Sequence, residues 1–556
     1  MLPEVEKADV VVLGGGLAGM MAAWSAAEMG RQVTLLVRGR PNASEVVGFN
    51  VPLLPEDGPD VLFADSLLAG DFAANPHLAA VMAYGIPSTF RYLEEKGLRL
   101  RRGDGTYGVR LAADSRVPRT VYYLDETGPL VLHFLRERLR DHRIAWREKT
   151  EALAIVTLDG RAAGVLAHDL QSGRLIALEA NAVVLTTGGA AGAYRFNTNA
   201  EGILGDSYGL ALEAGAEVLD MEYVQFEPFI FVHPPQVRGY AVPTTLVTNE
   251  GGRVENRLGE ECLPRATDGT FRGVTKAAMS RAMFTELRAG RGREHGGVSL
   301  DLRHVPEKAL AGYPRLLNAC RRAGLDPHLD RLEVAPAAHH FMGGVRIGLD
   351  ACTGIPGLFA AGEAAGGVHG ANRMAGNSGP DTLVFGRIAG QSAAQWAPGA
   401  LDARRRGTDF AAALASLLRE GRGMSRERQA ALENEVGRLL WEQAGVIRDG
   451  PELKDATVRL EALYEEVLAA YPGVLPPGRC LRSLAMTALL VAQGAAYRCE
   501  SRGAHFRLDY PRRDDRAFLG SIVFRLASGG RIEQYWLALG ATEPVLRSSP
   551  LRTVEE

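Results

Sequence analysis

Gly14, Gly16 and Gly19 stand at G-x-G-x-x-G spacing in "ADVVVLGGGLAGMMAAWSAAEMGRQVTLLV", with Leu17 and Ala18 in the same turn. Residues without bulk at this spacing allow a tight turn and a close backbone approach to a pyrophosphate, which the following helix N-terminus attracts. A second stretch, Gly357 to Gly390, has 16 glycines and alanines among 34 residues, yet carries Glu363, His369, Asn372, Arg373, Asn377 and Asp381. Small residues there imply a close approach, and the polar groups imply that what approaches needs hydrogen bonds.

The elements needed to position the first site are legible. Val10 to Leu13 read as a short buried parallel strand, Met20 to Met29 as an alanine-rich helix ended by Gly30, and Val33 to Val37 as the second strand. Gly103, Gly105 and Gly108 repeat the glycine spacing, but they follow "RLRR" and no helical pattern follows them, so a loop is expected. The acidic residue that commonly ends the second strand and binds a ribose is missing. Val37 and Arg38 stand there, so the ribose is held otherwise or another segment helps.

A chain of 556 residues implies two or three domains. A net charge of −3 gives no global electrostatic case for nucleic acid or an anionic membrane. The five cysteines form no C-x-x-C pair, which suggests neither a zinc site nor an iron–sulfur cluster and fits a reducing compartment. Neither a signal peptide nor a membrane-spanning run is expected, so the location read from the sequence is cytoplasmic.

Several long motifs in order resemble the flavoprotein subunits of the fumarate reductase, succinate dehydrogenase and L-aspartate oxidase family. They are the glycine turn, "VVLTTGGAAGAYRFNTNAEGILGDSYGLALEAGAEVLDMEYVQFEP", "AAHHFMGGV", "GLFAAGEAAGGVHGANRMAGNS" and "CESRGAHFRLDYPRRDD". The resemblance spans nearly the whole chain and implies an α/β fold. A Rossmann-like FAD-binding domain would be split over about 1–225 and 335–395, with an α+β capping domain inserted at 226–334 and a helical domain over 396–556. "FAAALASLLREGRG" and "QAALENEVGRLLWEQAGV" independently show helical spacing in that last part.

The resemblance also implies site residues. FAD would be held by Gly14, Gly16, Leu17, Ala18, Gly19, Arg38, Ser44, Gly188, Gly189 and Asp206 on one side. On the far side, Glu363 would bind a ribose and Asn377 and Ser378 would lie at the flavin or its phosphates. The helix begun near Gly379 would point its positive end at the isoalloxazine. Family members with covalent flavin attach it through a histidine in a segment matching "PNASEVVGFNVPL", which here has none, so bound FAD is expected to be non-covalent.

The reaction so implied moves a hydride between flavin N5 and a carbon beside a carboxylate. His339 and Arg373 match the family's carboxylate clamps. Two other positions depart from the pattern. The family's QFHP is "QFEP", placing Glu227 where a histidine binds the distal carboxylate, and the proton-transfer arginine is matched by Lys276. Arg272 and Arg281 are fallback candidates for that role, and the family's GGHS before the PRT segment is lost, "ADSRVPRT" having Ser115 and Arg116. Unless Glu227 is protonated, its carboxylate would repel a substrate carboxylate, so the distal end is expected to be an amine, an amide or a hydroxyl; the alternative is a structural salt bridge of Glu227 with a capping-domain arginine.

The favoured expectation is an FAD-dependent oxidoreductase of a small carboxylate-bearing substrate other than fumarate or succinate. The alternatives are an L-aspartate oxidase-like or succinate dehydrogenase/fumarate reductase flavoprotein; a non-catalytic FAD-binding assembly protein; and sulfur-compound reduction as in adenylylsulfate reductases. No frame for a nicotinamide is visible, so the electron partner is oxygen, a quinone or another protein.

Overall fold

A computed structural model describes residues 3–101, 103–112, 114–142, 144–265, 269, 271, 274–397 and 403–539. Strand β1 (Val5–Leu13), helix α1 (Leu17–Glu28) and strand β2 (Val33–Val37) open the chain. Val10 to Leu13 and all of β2 are buried, as expected of parallel strands covered on both faces. Leu17 to Ala26 are buried too, so α1 is apolar all round and packs inside the protein.

The largest sheet runs in the order Ala145–Glu148, β2, β1, Leu175–Leu185, Arg161–Asp169, Thr150–Leu158. Leu358–Ala360 returns from far along the chain to pair in parallel with Val183 to Leu185. This sheet is therefore built from two separated segments of the chain.

Helix α2 (Asp206–Glu213) leads towards strand β3 (Val224–His233). Beyond β3 come helix α3 (Lys276–Arg288) and strand β4 (Leu332–Phe341). An antiparallel sheet in the order β3, β4, Val298–Asp301, Arg253–Glu255 carries its own core of Phe229, Phe231, Met279, Leu300 and Val334. Its two long strands overrun the expected cap bounds of 226–334 at both ends.

Helix α4 (Ser378–Trp396) crosses α1 so closely that a Cβ on Gly386 would lie 2.6 Å from the Ala18 carbonyl oxygen, and one on Gly390 2.2 Å from that of Ala22. Much of the missing bulk in 357–390 thus serves helix packing rather than a ligand.

The C-terminal part contains helices Ala403–Leu417, Arg426–Gln443, Gly450–Ala470 and Gly478–Tyr497. It is not wholly helical. Gly520–Leu526 and Ile532–Ala538 form a hairpin that joins Val218–Leu219 and Gly344–Val345 in a third sheet. Helix Gly478–Tyr497 is long and apolar enough to span a membrane, but 72% of its apolar window is buried within the protein.

Candidate active site

The glycine turn opens onto a cavity lined by Gly14 to Ala18, Arg38 to Ala43, Thr150 to Ala152, Thr186 to Gly188, Asp206, Glu363 and Thr382. Gly14 has φ +112°, and a Cβ there would lie 2.3 Å from the Thr186 carbonyl oxygen. Gly16 caps α1 with no side-chain hydrogen bond, and a Cβ on it would meet nothing within 4 Å. The first N–H groups of α1 are therefore open to an anion. Gly19 plays a different part: a Cβ on it would lie 1.8 Å from the Gly14 carbonyl oxygen, so it holds the helix against the turn.

The carboxylates missing from the end of β2 come from elsewhere. Arg38 donates to Asp206 Oδ2 at 3.1 Å and to the Gly202 carbonyl at 3.0 Å, and its Nε lies 3.2 Å from Glu151 Oε2. Gly188, at φ +83°, lines the same cavity. Gly189 accommodates Glu363, whose Oε1 would lie 2.2 Å from a Cβ there. That oxygen accepts from the Phe341 N–H at 3.0 Å. Burial, opposed by that hydrogen bond and by Arg373, pushes the Glu363 carboxyl up to about 7.

Ser44 and Asn377 already have protein partners. Ser44, in the single helical turn Asn42–Glu45, lines a neighbouring cavity that Gly15 and Arg38 also line, accepts from Arg40 and donates to the Pro41 carbonyl. Asn377 accepts from Asn50 Nδ2 at 2.7 Å and donates to Ser66 Oγ at 2.9 Å. These bonds brace the start of α4 at Ser378 and leave the amide a second N–H and a second lone pair.

The four residues assigned to substrate chemistry converge. The antiparallel pairing of β3 with β4 brings Gln225 opposite His340 and Glu227 opposite Ala337. Lys276 is the first residue of α3, after the cap Thr275, whose side chain accepts from the Ala278 N–H. A cation is unfavourable at a helix N-terminus; here its ammonium is hydrogen-bonded to Glu227 Oε2, with both side chains buried. The expected alternative, a capping-domain arginine on Glu227, is replaced by this lysine. Arg281 instead lies over the Phe506 ring, and Arg272 lies outside the described residues.

His339 shares a hydrogen bond of 2.8 Å with Thr198 through Nδ1, and its Nε2 lies 3.9 Å from Glu227 Oε2. Burial, then Lys276 and Arg373, hold its pKa well below the usual histidine range, so it is a neutral imidazole. Arg373 is 4% exposed. It donates to Gln225 Oε1 at 2.9 Å, while Gln225 Nε2 donates to the Arg373 and Asn372 oxygens at 2.8 and 2.9 Å. Gln225 is thus the residue that aims the guanidinium. Its place in "VQFEP", two residues before Glu227 and so on the same strand face, was the available signal.

Polar atoms without hydrogen-bond partners lie both in the glycine-turn cavity, at Asp206 Oδ1, and towards this convergence, at Arg373 Nε, His340 Nε2, His369 Nε2, Asp381 Oδ1 and Asp114 Oδ2, with His369 Nε2 3.4 Å from Asp381 Oδ2. Buried groups in such a state are expected where a ligand completes them. Together with the open N-terminus of α1, they fit a long, polar, phosphate-bearing cofactor running from the glycine turn to Arg373.

Comparison with known proteins agrees. Residues 9–378 match the FAD binding domain family, and residues 478–545 the fumarate reductase flavoprotein C-terminal family. The chain is 33% identical over 535 residues to one of the subunits of the fumarate reductase (CoM/CoB) of Methanothermobacter marburgensis, covering 92% of this chain and 96% of that one. It is 32% identical over 568 residues to the fumarate reductase flavoprotein subunit of Escherichia coli, covering 94% and 92%. Among solved structures, an E. coli quinol fumarate reductase variant superposes with a TM-score of 0.87 at 29% identity, over 97% of this chain and 98% of that one. Mycobacterium smegmatis Sdh1 in complex with UQ1 gives 0.83 at 29%, over 99% and 96%. The chain belongs to the fumarate reductase/succinate dehydrogenase flavoprotein family and is an FAD-dependent oxidoreductase.

Proposed function

We propose that this enzyme moves a hydride between FAD and a carbon adjacent to a carboxylate, on a substrate other than fumarate or succinate. The observation that carries the reading is the Lys276–Glu227 pair beside Arg373 and His339. Bound FAD supplies the two-electron chemistry. Arg373, held by Gln225, offers its fork to the carboxylate. The Thr198 hydroxyl can donate to His339 Nδ1, which leaves an Nε2 proton to second that clamp. Lys276 has three donors, of which Glu227 takes one, so it keeps a proton to exchange with the neighbouring carbon.

The same pairing argues against a second substrate carboxylate. Lys276 already has its counter-charge, and Glu227 stands where a second carboxylate would have to lie. The mycobacterial relative's structure holds UQ1, which supports electron exchange with a quinone by way of a partner protein.

The test is to make Arg373→Lys and His339→Ala and to measure both flavin content and turnover with carboxylic acid substrates. Flavin should stay bound while kcat/KM falls about a hundredfold through lost positioning. Near-normal kcat/KM in either variant would remove that residue as a clamp.

A further inference from the structure

The loop before Pro118 holds an acidic residue that the assigned machinery does not use. Asp114 has φ +66°, a left-handed conformation that aspartate adopts more readily than most non-glycine residues. Its Oδ2 is sealed from solvent and has no hydrogen-bond partner. The groups that face it are Lys276 of α3, Glu227 of β3, and Asn372 and Arg373 of the loop before α4, with the Asn372 amide as its hydrogen-bond partner. An unmatched carboxyl oxygen therefore lies at the point where the substrate groups meet.

The charges around it indicate what would satisfy it. Lys276 is paired with Glu227. His339 and His340 are held neutral by burial and by the neighbouring cations. Arg373, whose buried Nε has no partner, is left to take one substrate carboxylate. Among the unsatisfied atoms, Asp114 Oδ2 is the carboxylate oxygen that Lys276, Glu227, Asn372 and Arg373 surround. Burial raises the Asp114 pKa, and an adjacent cation would reverse that shift.

We infer that Asp114 is a specificity-determining residue that receives an ammonium group of the substrate, making the preferred substrate an amino acid with a single carboxylate. This rests on the carboxylate clamp proposed above for Arg373. Binding involves only hydrogen bonds and charge pairing, and the substituent is read at a carbon that need not react.

The test uses the flavin-loaded enzyme and ligands sharing one carboxylate end: butyrate, 3-hydroxypropanoate, 3-aminopropanoate and succinate, with pentanoate and 4-aminobutanoate as a longer pair. Binding is read from the perturbation of the flavin spectrum. An amino acid should bind about tenfold or more tighter than its apolar counterpart, as a charge-assisted hydrogen bond allows, and succinate should bind worst. Asp114→Asn should abolish that advantage, so that each amino acid binds no tighter than its apolar counterpart. The proposal is overturned if neither amino acid outbinds its apolar counterpart in the unmodified enzyme, a comparison that needs no variant to fold. It is also overturned if Asp114→Asn weakens every ligand alike, since that marks a structural role. Should butyrate bind and depend on Arg373 while the amino acids gain nothing, the clamp stands and only the Asp114 assignment fails. If no carboxylate binds, both fail.

Discussion

The Lys276 ammonium and the Glu227 carboxylate are partners, joining the first turn of α3 to β3 inside the closed site. Two departures from the family pattern, far apart in sequence, are therefore one physical change. Either charge alone would be buried without compensation, and removing one partner of such a pair costs about 3–5 kcal/mol. Glu227→Gln and Lys276→Met should each lower the unfolding free energy by about that amount, and the double variant should recover most of it. Urea denaturation of the four proteins measures this, and additive losses would show that the pair is not coupled.

The pair also governs which ligands the site accepts. Restoring only the family histidine, by Glu227→His, leaves Lys276 without its counter-charge. Changing both, Glu227→His with Lys276→Arg, should rebuild two cationic sites for a dicarboxylate. Fumarate and succinate should then bind about tenfold or more tightly than to the unmodified enzyme, as an added charged hydrogen bond allows. Unchanged affinities in the double variant, read by flavin titration, would mean that other residues set the preference.

Much of the nucleotide site was legible because its demands are local. The strand before Gly14, the turn and the helix after it lie on one unbroken stretch, Val5 to Glu28. The convergence of Lys276, Glu227, His339 and Arg373 came from motif resemblance, which placed each residue but not its neighbours. Nothing local could show that Lys276 would reach Glu227, 49 positions earlier, or that Asn377 would spend its amide on Asn50 and Ser66. Asp114 was unreadable for the same reason: its meaning lies in a left-handed backbone and in contacts from three distant segments. Glycine content misled in one respect, since Gly386 and Gly390 make room for α1 and not for a ligand.

The two kinds of glycine contact predict separable losses. Gly19→Ala should wedge α1 away from the turn, and Gly14→Ala adds a positive-φ penalty to a clash with Thr186. Both should purify with far less FAD, whereas Gly16→Ala, which meets no atom of the protein, should fold normally and lose affinity only through the ligand. Flavin-to-protein absorbance ratios decide this. In the unmodified enzyme, acid precipitation should leave all flavin in the supernatant, since "PNASEVVGFNVPL", the segment that resembles the covalent attachment segment, contains no histidine. Colour retained in the precipitate would contradict that.

Glu363 makes the flavin-free protein sensitive to pH in an unusual direction. Its carboxyl is raised from 4.5 to about 7 in the folded state, chiefly by burial. Between these values the folded protein holds a proton that the unfolded chain has released. Stability from this group is therefore complete below the lower value and is lost as pH rises through the higher one, by about 3 kcal/mol in all. Asp220 is raised to about 7 as well and adds a slope of the same sign, so the comparison must be with a variant. Glu363→Gln removes one titrating group and should flatten the fall in urea midpoint between about pH 5 and about pH 8. Parallel pH profiles in variant and parent would show that Glu363 is already ionised in the folded protein, and that Arg373 outweighs the cost of burying it.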